Sequence, residues 1–316
     1  MASERTYSIG IDLGGTKIAA GLCSNGEILV KCIIPTPVQE GADGIFKAMH
    51  AAVSEVLGES GQKPITGIGI GAAGQIDPET GAVIYAPNLN WRNVPLAAEL
   101  SQRTGYPVKV LNDVRAATLA EFKFGAGKGL EHFVNIFVGT GIGSGIVMHG
   151  TLVNGASNSA GEIGHTCLDP EGPVCGCGKK GCFEAYASGK GLENRIKDHL
   201  RAGQKSMISE LVHGDVEKVT GPVIGTAAKA GDELALSALC SVGKYLGLAL
   251  ANVHTFLNPQ TILLGGGMMA LKEFYFPAME KTLQEIVLPV AAGRRLYELA
   301  KFENDAVLLG GSAIFS

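Results

Sequence analysis

The stretch YSIGIDLGGTKIAAGLCSNG, Tyr7–Gly26, reads as a strand, a glycine turn, a second strand and a Ser-Asn-Gly turn, with a third strand running on to Pro35. FVNIFVGTGIGSGIVMHG, Phe133–Gly150, repeats the order: strand, Gly/Thr turn, strand, hairpin. Two such openings in one chain form a weak internal repeat of two halves. Outward from the first, Asp43–Leu57 has helical spacing with Ile45, Met49, Ala52, Val53 and Val56 on one face. Ile65–Gly71 reads as a buried strand, and Asp77–Gly81 as a turn between two extended runs. Pro95 starts a helix that ends near Gly105, Val108–Leu111 is a strand, and Asn112 caps a helix to Phe124. The second half turns helical from about Gly191 to Asn258, then has a strand at Gln260–Leu264, more helix, a last strand at Glu298–Phe302 and a terminal helix. Strands alternating with helices in two similar halves predict an α/β protein of two domains with a cleft between them.

The chain has 316 residues, enough for two domains, and 46% hydrophobic residues, enough for substantial cores. A net charge of −4 without a basic run argues against a nucleic-acid face. Met1–Tyr7 is short and polar, with no signal-peptide core, and the apolar run Tyr245–Leu257 is interrupted by Asn252, His254 and Thr255 and too short to span a bilayer. These readings predict a cytoplasmic protein with reduced thiols and no membrane partner. Of seven cysteines, Cys23, Cys32 and Cys240 are scattered and read as small buried hydrophobes.

In DLGGTK, Asp12–Lys17, two adjacent glycines let backbone N–H groups approach an anion, Thr16 adds a hydroxyl, and Asp12 could hold a metal ion bridging phosphates. A bare hairpin turn explains the same residues. GTGIGSG, Gly139–Gly145, is the same kind of object, and two such turns at matching places would grip one polyphosphate from both sides. Gly265–Gly267, after a buried strand, could lie against a nucleotide base or ribose, or simply turn the chain. LNDV, Leu111–Val114, puts Asp113 at a strand-to-helix junction. There it could orient a substrate hydroxyl and take its proton, or Asn112 and Asp113 could merely cap the helix.

GHTCLDPEGPVCGCGKKGCFEAYAS, Gly164–Ser188, gathers one histidine and four cysteines. His165, Cys175, Cys177 and Cys182 supply one nitrogen and three sulfurs, the set of a closed, structural zinc site. Cys167 is a rival ligand. Glu162 and Glu184 flank the loop, and Glu162 and His165 are spaced to share one helical turn. Rigidly held acceptors of this kind suit a polyol.

In order, GIDLGGTK, PNLNW (Pro87–Trp91), LNDVRAA (Leu111–Ala117), VGTGIGSG, AGEIGH (Ala160–His165) and CGCGKKGCFEAYAS resemble the ROK family of sugar kinases and repressors, within the actin-like ATPase superfamily. The resemblance covers essentially the whole chain and is most similar to the family's glucokinases. It implies the two-domain actin-like, ribonuclease H-like fold, divided as 1–112 with a C-terminal helix about 303–316, and 113–302 with a zinc loop at 165–182. It implies ATP, Mg2+ and a structural Zn2+, a homodimer or tetramer, and domain closure on sugar. Asp12, Gly14, Gly15, Thr16 and Lys17 would form the first phosphate turn, Gly139, Thr140 and Gly141 the second, and Gly265, Gly266 and Gly267 would border the adenosine. Asp113 would be the base on the 6-hydroxyl of glucose. Asn88, Asn112, Glu162, His165 and Glu184 would hold the other hydroxyls, with one nitrogen of His165 on zinc and the other facing the sugar. The departures are Val114 and Arg115, where small or polar residues are expected, and Asn158, where glycine is.

Other readings share these motifs. N-acetylmannosamine, N-acetylglucosamine, mannose or fructose could replace glucose, and polyphosphate could replace ATP. A sugar-responsive repressor would carry a helix-turn-helix domain in front, for which Met1–Thr6 leaves no room. An actin-like or chaperone-like ATPase would have no use for the zinc loop.

Overall fold

A computed structural model describes residues 6–61, 63–290 and 293–316; the polar start read at Met1–Arg5 lies outside them. In chain order the strands and helices are β1 (Tyr7–Leu13), β2 (Lys17–Ser24), β3 (Glu27–Pro35), α1 (Gly41–Glu59), β4 (Ile65–Ala72), β5 (Gln75–Ile76), β6 (Val83–Ala86), β7 (Trp91–Val94), α2 (Leu96–Thr104), β8 (Val108–Asn112) and α3 (Asp113–Phe124). The second round is β9 (Phe133–Val138), β10 (Ile142–Met148), β11 (Thr151–Leu152), α4 (Phe183–Ala187), α5 (Gly189–Arg201), α6 (Met207–Leu211), α7 (Gly221–Lys229), α8 (Glu233–Leu257), β12 (Thr261–Gly265), α9 (Lys272–Ile286), β13 (Tyr297–Leu299) and α10 (Ala306–Ala313). The expected strand at Glu298–Phe302 lies slightly earlier, because β13 is set by parallel pairing of Ile262–Leu264 with Tyr297–Leu299. The chain divides into two compact units: one takes residues up to Phe133 with Gly145–Gly161 and Ala300–Ser316, the other Val134–Ser144 and Glu162–Leu299.

The first unit is built on a sheet of order β3-β2-β1-β4-β8, with β1 antiparallel to β2 and parallel to β4. Alternation decides its two faces. Ile9, Ile11 and Leu13 join Ile45, Phe46, Met49, Val53 and Val56 of α1 in one core. The intervening positions are small: Gly10 in β1 and Gly67, Gly69 and Gly71 in β4. A Cβ on Gly10 would stand 1.9 Å from the Leu308 carbonyl oxygen, and one on Gly69 1.9 Å from that of Gly311. This glycine stripe lets α10 lie directly on the sheet, and α10 in turn packs on α3. Asp12 follows Gly10 on the same face, so its position and that of α3 have a common origin. A small sheet, β5-β6-β7, carries the Asp77 turn, where the carboxylate accepts the N–H groups of Glu79 and Thr80.

The second sheet has the order β11-β10-β9-β12-β13. In the second unit α8 is its longest helix, 25 residues, longer than the run Tyr245–Leu257 suggested and by length and composition able to cross a membrane. Its apolar window is 61% buried, and Gly243 and Gly247 bring it against the backbone of α9 between Tyr275 and Leu283. Cys23 and Cys32 are buried as expected, and Cys240 is half-buried.

Candidate active site

In the first unit the turn after β1 is pinned on both sides. Gly14 N–H donates to the Lys17 carbonyl at 3.1 Å, Thr36 N–H to that of Thr16 at 3.1 Å, and the Thr36 hydroxyl to that of Gly14 at 2.7 Å. A Cβ on Gly15 would lie 2.9 Å from the Asn88 carbonyl oxygen, so the turn abuts the Pro87–Trp91 segment. Thr16, Lys17 and Asn88 are exposed. Asp12 is half-buried, and desolvation pushes its carboxyl up to about 6. Lys17 opposes that shift and the Asp113 carboxylate adds to it. Adding a cation here would restore the charged form.

Asn112 ends β8 and caps α3: its Oδ1 accepts Val114 N–H at 3.1 Å and Arg115 N–H at 3.3 Å, while Nδ2 donates to the Gly74 carbonyl at 3.3 Å. The capping reading of Asn112 therefore holds, and its side chain has little left for a ligand. Asp113 opens the helix, and one carboxylate oxygen accepts Val114 N–H at 2.8 Å. A carboxylate so oriented can accept a proton from a hydroxyl.

In the second unit Gly139 N–H donates to the Gly141 carbonyl at 2.9 Å, closing the second turn. Gly189 N–H donates to Gly139 O at 2.8 Å and Lys190 N–H to Thr140 O at 3.1 Å, which ties the turn to the start of α5. Beside it lies a cavity of about 490 Å³ lined by Gly139, Thr140, Lys190, Glu193, Thr226 and Gly267 among others. Gly265 ends β12. Gly266, at φ +95°, has no room for a Cβ, which would stand 2.5 Å from the Val138 carbonyl oxygen. Gly141 lies apart from the cavity lining, against Glu184. Lys190, Glu193 and Thr226 were not singled out in the sequence. The Ser-Gly-Lys-Gly run at Ser188–Gly191, a capped helix start, is the signal that could have found Lys190.

Four residues of the Gly164–Ser188 loop come together. The ligand atoms of His165, Cys175, Cys177 and Cys182 all lie within 4.8 Å of one another, with Cys175 Sγ 3.8 Å from His165 Nδ1 and Cys177 Sγ 3.7 Å from Cys182 Sγ. Tetrahedral bonds of ~2.3 Å give edges of ~3.8 Å, so the donor set fits a four-coordinate ion. Cys167 falls outside the group and points to the Lys180 carbonyl. Burial pushes the Cys175 thiol up to about 12, whereas the Lys179 N–H lowers that of Cys177. With Nδ1 turned to the sulfurs, His165 leaves Nε2 on the other edge of its ring. Glu162 precedes the 3-10 turn Ile163–His165 and accepts His165 N–H on its carbonyl at 3.1 Å. Glu184 accepts Ile142 N–H at 2.9 Å and the Cys175 thiol at 3.6 Å.

Glycine turns follow β1 and β9 in the two five-stranded sheets, a cavity lies beside the second, and the mixed α/β architecture matches sugar kinases of the actin-like ATPase fold. The chain belongs to the ROK family, whose pattern it matches over residues 8–316. It is 37% identical over 311 residues to a glucokinase of Thermotoga maritima, covering 97% of this chain and 96% of that one. A ROK family glucokinase from Streptomyces griseus, solved in complex with glucose and AMPPNP, matches with a TM-score of 0.84 at 34% identity over 98% of each chain. A xylose repressor of Caldicellulosiruptor bescii is 30% identical over 306 residues, covering 96% of this chain and 76% of that protein.

Proposed function

We propose that this protein is an ATP-dependent hexose kinase that phosphorylates the 6-hydroxyl of glucose. The observation that carries the reading is the double attachment of Glu184. One carboxylate oxygen meets the end of the second glycine turn and the other the metal loop, so phosphate-side and sugar-side groups share one support. Kinship with glucokinases of matching length supports the substrate.

Asp113 accepts the 6-hydroxyl proton as the oxygen attacks the γ-phosphorus; the bond to the β-bridging oxygen breaks, and ADP leaves. Asn88, Asn112, Glu162, His165 and Glu184 hold the remaining hydroxyls, with Asn112 contributing chiefly through its cap on α3. The two glycine turns, with Thr16, Lys17 and Thr140, hold the phosphates, and Gly267, at the end of the Gly265–Gly267 run and in the cavity lining, leaves room for the adenosine. Asp12 would hold the magnesium ion that accompanies the nucleotide, which would neutralise phosphate charge. His165, Cys175, Cys177 and Cys182 would hold a structural zinc ion, which would fix the tautomer and orientation of the imidazole and leave the chemistry to other groups. Reduced thiols suit the cytoplasm, and the family resemblance supports a homodimer that closes on sugar.

A coupled assay of ADP release with Mg-ATP and a sugar panel tests the reading. Glucose should give the highest kcat/KM. A higher value for an N-acetyl sugar or fructose would overturn the glucose assignment, and release without sugar dependence would overturn the kinase.

A further inference from the structure

Arg115 and Asn158, the two sequence departures with long polar side chains, meet in the first unit. Arg115 is 3% exposed in the first turn of α3. Its guanidinium donates to Asn158 Oδ1 and, at 3.1 Å each, to the carbonyls of Asn154 and Ala160. Asn158 sits at φ +57°, a left-handed conformation that asparagine tolerates better than most residues. Its Nδ2 donates to the Ile76 carbonyl at 2.7 Å. Two residues before Ile76, the Gly74 carbonyl accepts the Asn112 side chain. The bonds close a circuit: Asn112 to Gly74, along the chain to Ile76, through Asn158 to Arg115, and back along α3. Asp113 lies inside it, between Asn112 and Arg115.

The circuit reaches a second group through the chain. Ala160, held by Arg115, is followed by Gly161 at φ +93° and then by Glu162, the residue at which the chain enters the second unit. Arg115 thus grips the last residues before that crossing. Its fork spans three acceptors in different directions, which a lysine ammonium on a flexible stem does not reproduce.

We propose that Arg115 and Asn158 are a coupled pair of positioning residues that set the first turn of the Asp113 helix and the segment leading to Glu162. The inference rests on the kinase reading for its effect on turnover. A mutation that displaces reacting groups by about 1 Å can cost about a hundredfold in rate.

The test is a double-mutant cycle of Arg115→Ala and Asn158→Gly in the full chain, the glycine being at ease at positive φ. Each single variant should lower kcat/KM for sugar roughly ten- to a hundredfold, through kcat, with KM for ATP unchanged. The double variant should be no worse than the poorer single. Arg115→Lys should behave like Arg115→Ala and serves in its place if the alanine variant does not fold. Unchanged kcat/KM in a folded variant with a lowered Tm would reduce the pair to a structural role, and multiplicative losses would break the coupling. Amide exchange gives a readout without turnover: either single variant should speed exchange in both Asp113–Arg115 and Val153–Gly161. Faster exchange in one segment alone would overturn the circuit. Sugar-dependent ADP release by the parent chain decides the kinase reading separately.

Discussion

The Glu184 carboxylate accepts the Ile142 N–H at 2.9 Å, which fastens the residue beside the cysteine-rich loop to the strand that leaves the second glycine turn. Truncating Glu184 should therefore disturb two ligands. Glu184→Ala is expected to weaken sugar binding and to raise KM for ATP, since Ile142 loses its acceptor. Glu184→Gln keeps an acceptor oxygen and loses the charge, so only sugar affinity should fall, by roughly tenfold. Equal KM for ATP in all three proteins would separate Glu184 from the turn.

Metal content and sugar affinity should change together. Elemental analysis is expected to find one zinc per chain, and Cys177→Ala or chelation should remove it. Glucose affinity should then drop, by roughly the ~10–100-fold that loss of an orienting partner costs at metal sites. Metal-free protein that binds glucose normally would contradict this role for the cluster.

Asp12 should show a stability trade-off. Its folded pKa, about 6, lies above the ordinary carboxylate value, so the native state holds a proton that the unfolded chain releases. Its contribution to stability is complete below pH ~4 and is lost as pH rises through about 6, amounting to roughly 3 kcal/mol at most. Asp12→Asn should accordingly gain in Tm over the parent as pH rises from 4 to 7, and should be inactive with Mg-ATP. A parent-minus-variant Tm difference independent of pH would remove the buried-proton account.

The glycine stripe makes a steric prediction. A Cβ on Gly310 of α10 would stand 1.7 Å from the Ala116 carbonyl oxygen of α3. Gly310→Ala should destabilise by at least ~1–3 kcal/mol and lower turnover, because α3 carries Asp113. Calorimetry and the kinase assay read the two effects, and a variant as stable as the parent would contradict the packing.

Much of this was readable in the sequence where spacing maps directly onto geometry. Ile65–Gly71 reads as a buried strand, though the helix covering its glycine face shows only in the fold, and Cys-x-Cys-x4-Cys with His165 marks a four-donor set. Asn112 and Asp113 are ambiguous in sequence because one strand-to-helix junction offers both a cap and a base; the bonds to Val114, Arg115 and Gly74 identify Asn112 as the cap. Glu193 and Thr226 escaped because they reach one cavity from α5 and α7, far apart in the chain and without a motif. The edge strand β7 and the offset of β13 are short elements fixed by their partners rather than by their own composition.

If Asp113 takes the proton from the sugar, replacing it should spare binding and stop transfer. The most direct measurement compares Asp113→Asn with the parent for glucose affinity by calorimetry and for glucose-dependent ADP release. The variant keeps the acceptor oxygen for Val114 N–H, so affinity should stay within severalfold while turnover falls by ~10²–10⁴-fold or more. A near-parent rate with normal affinity would remove Asp113 from the chemistry.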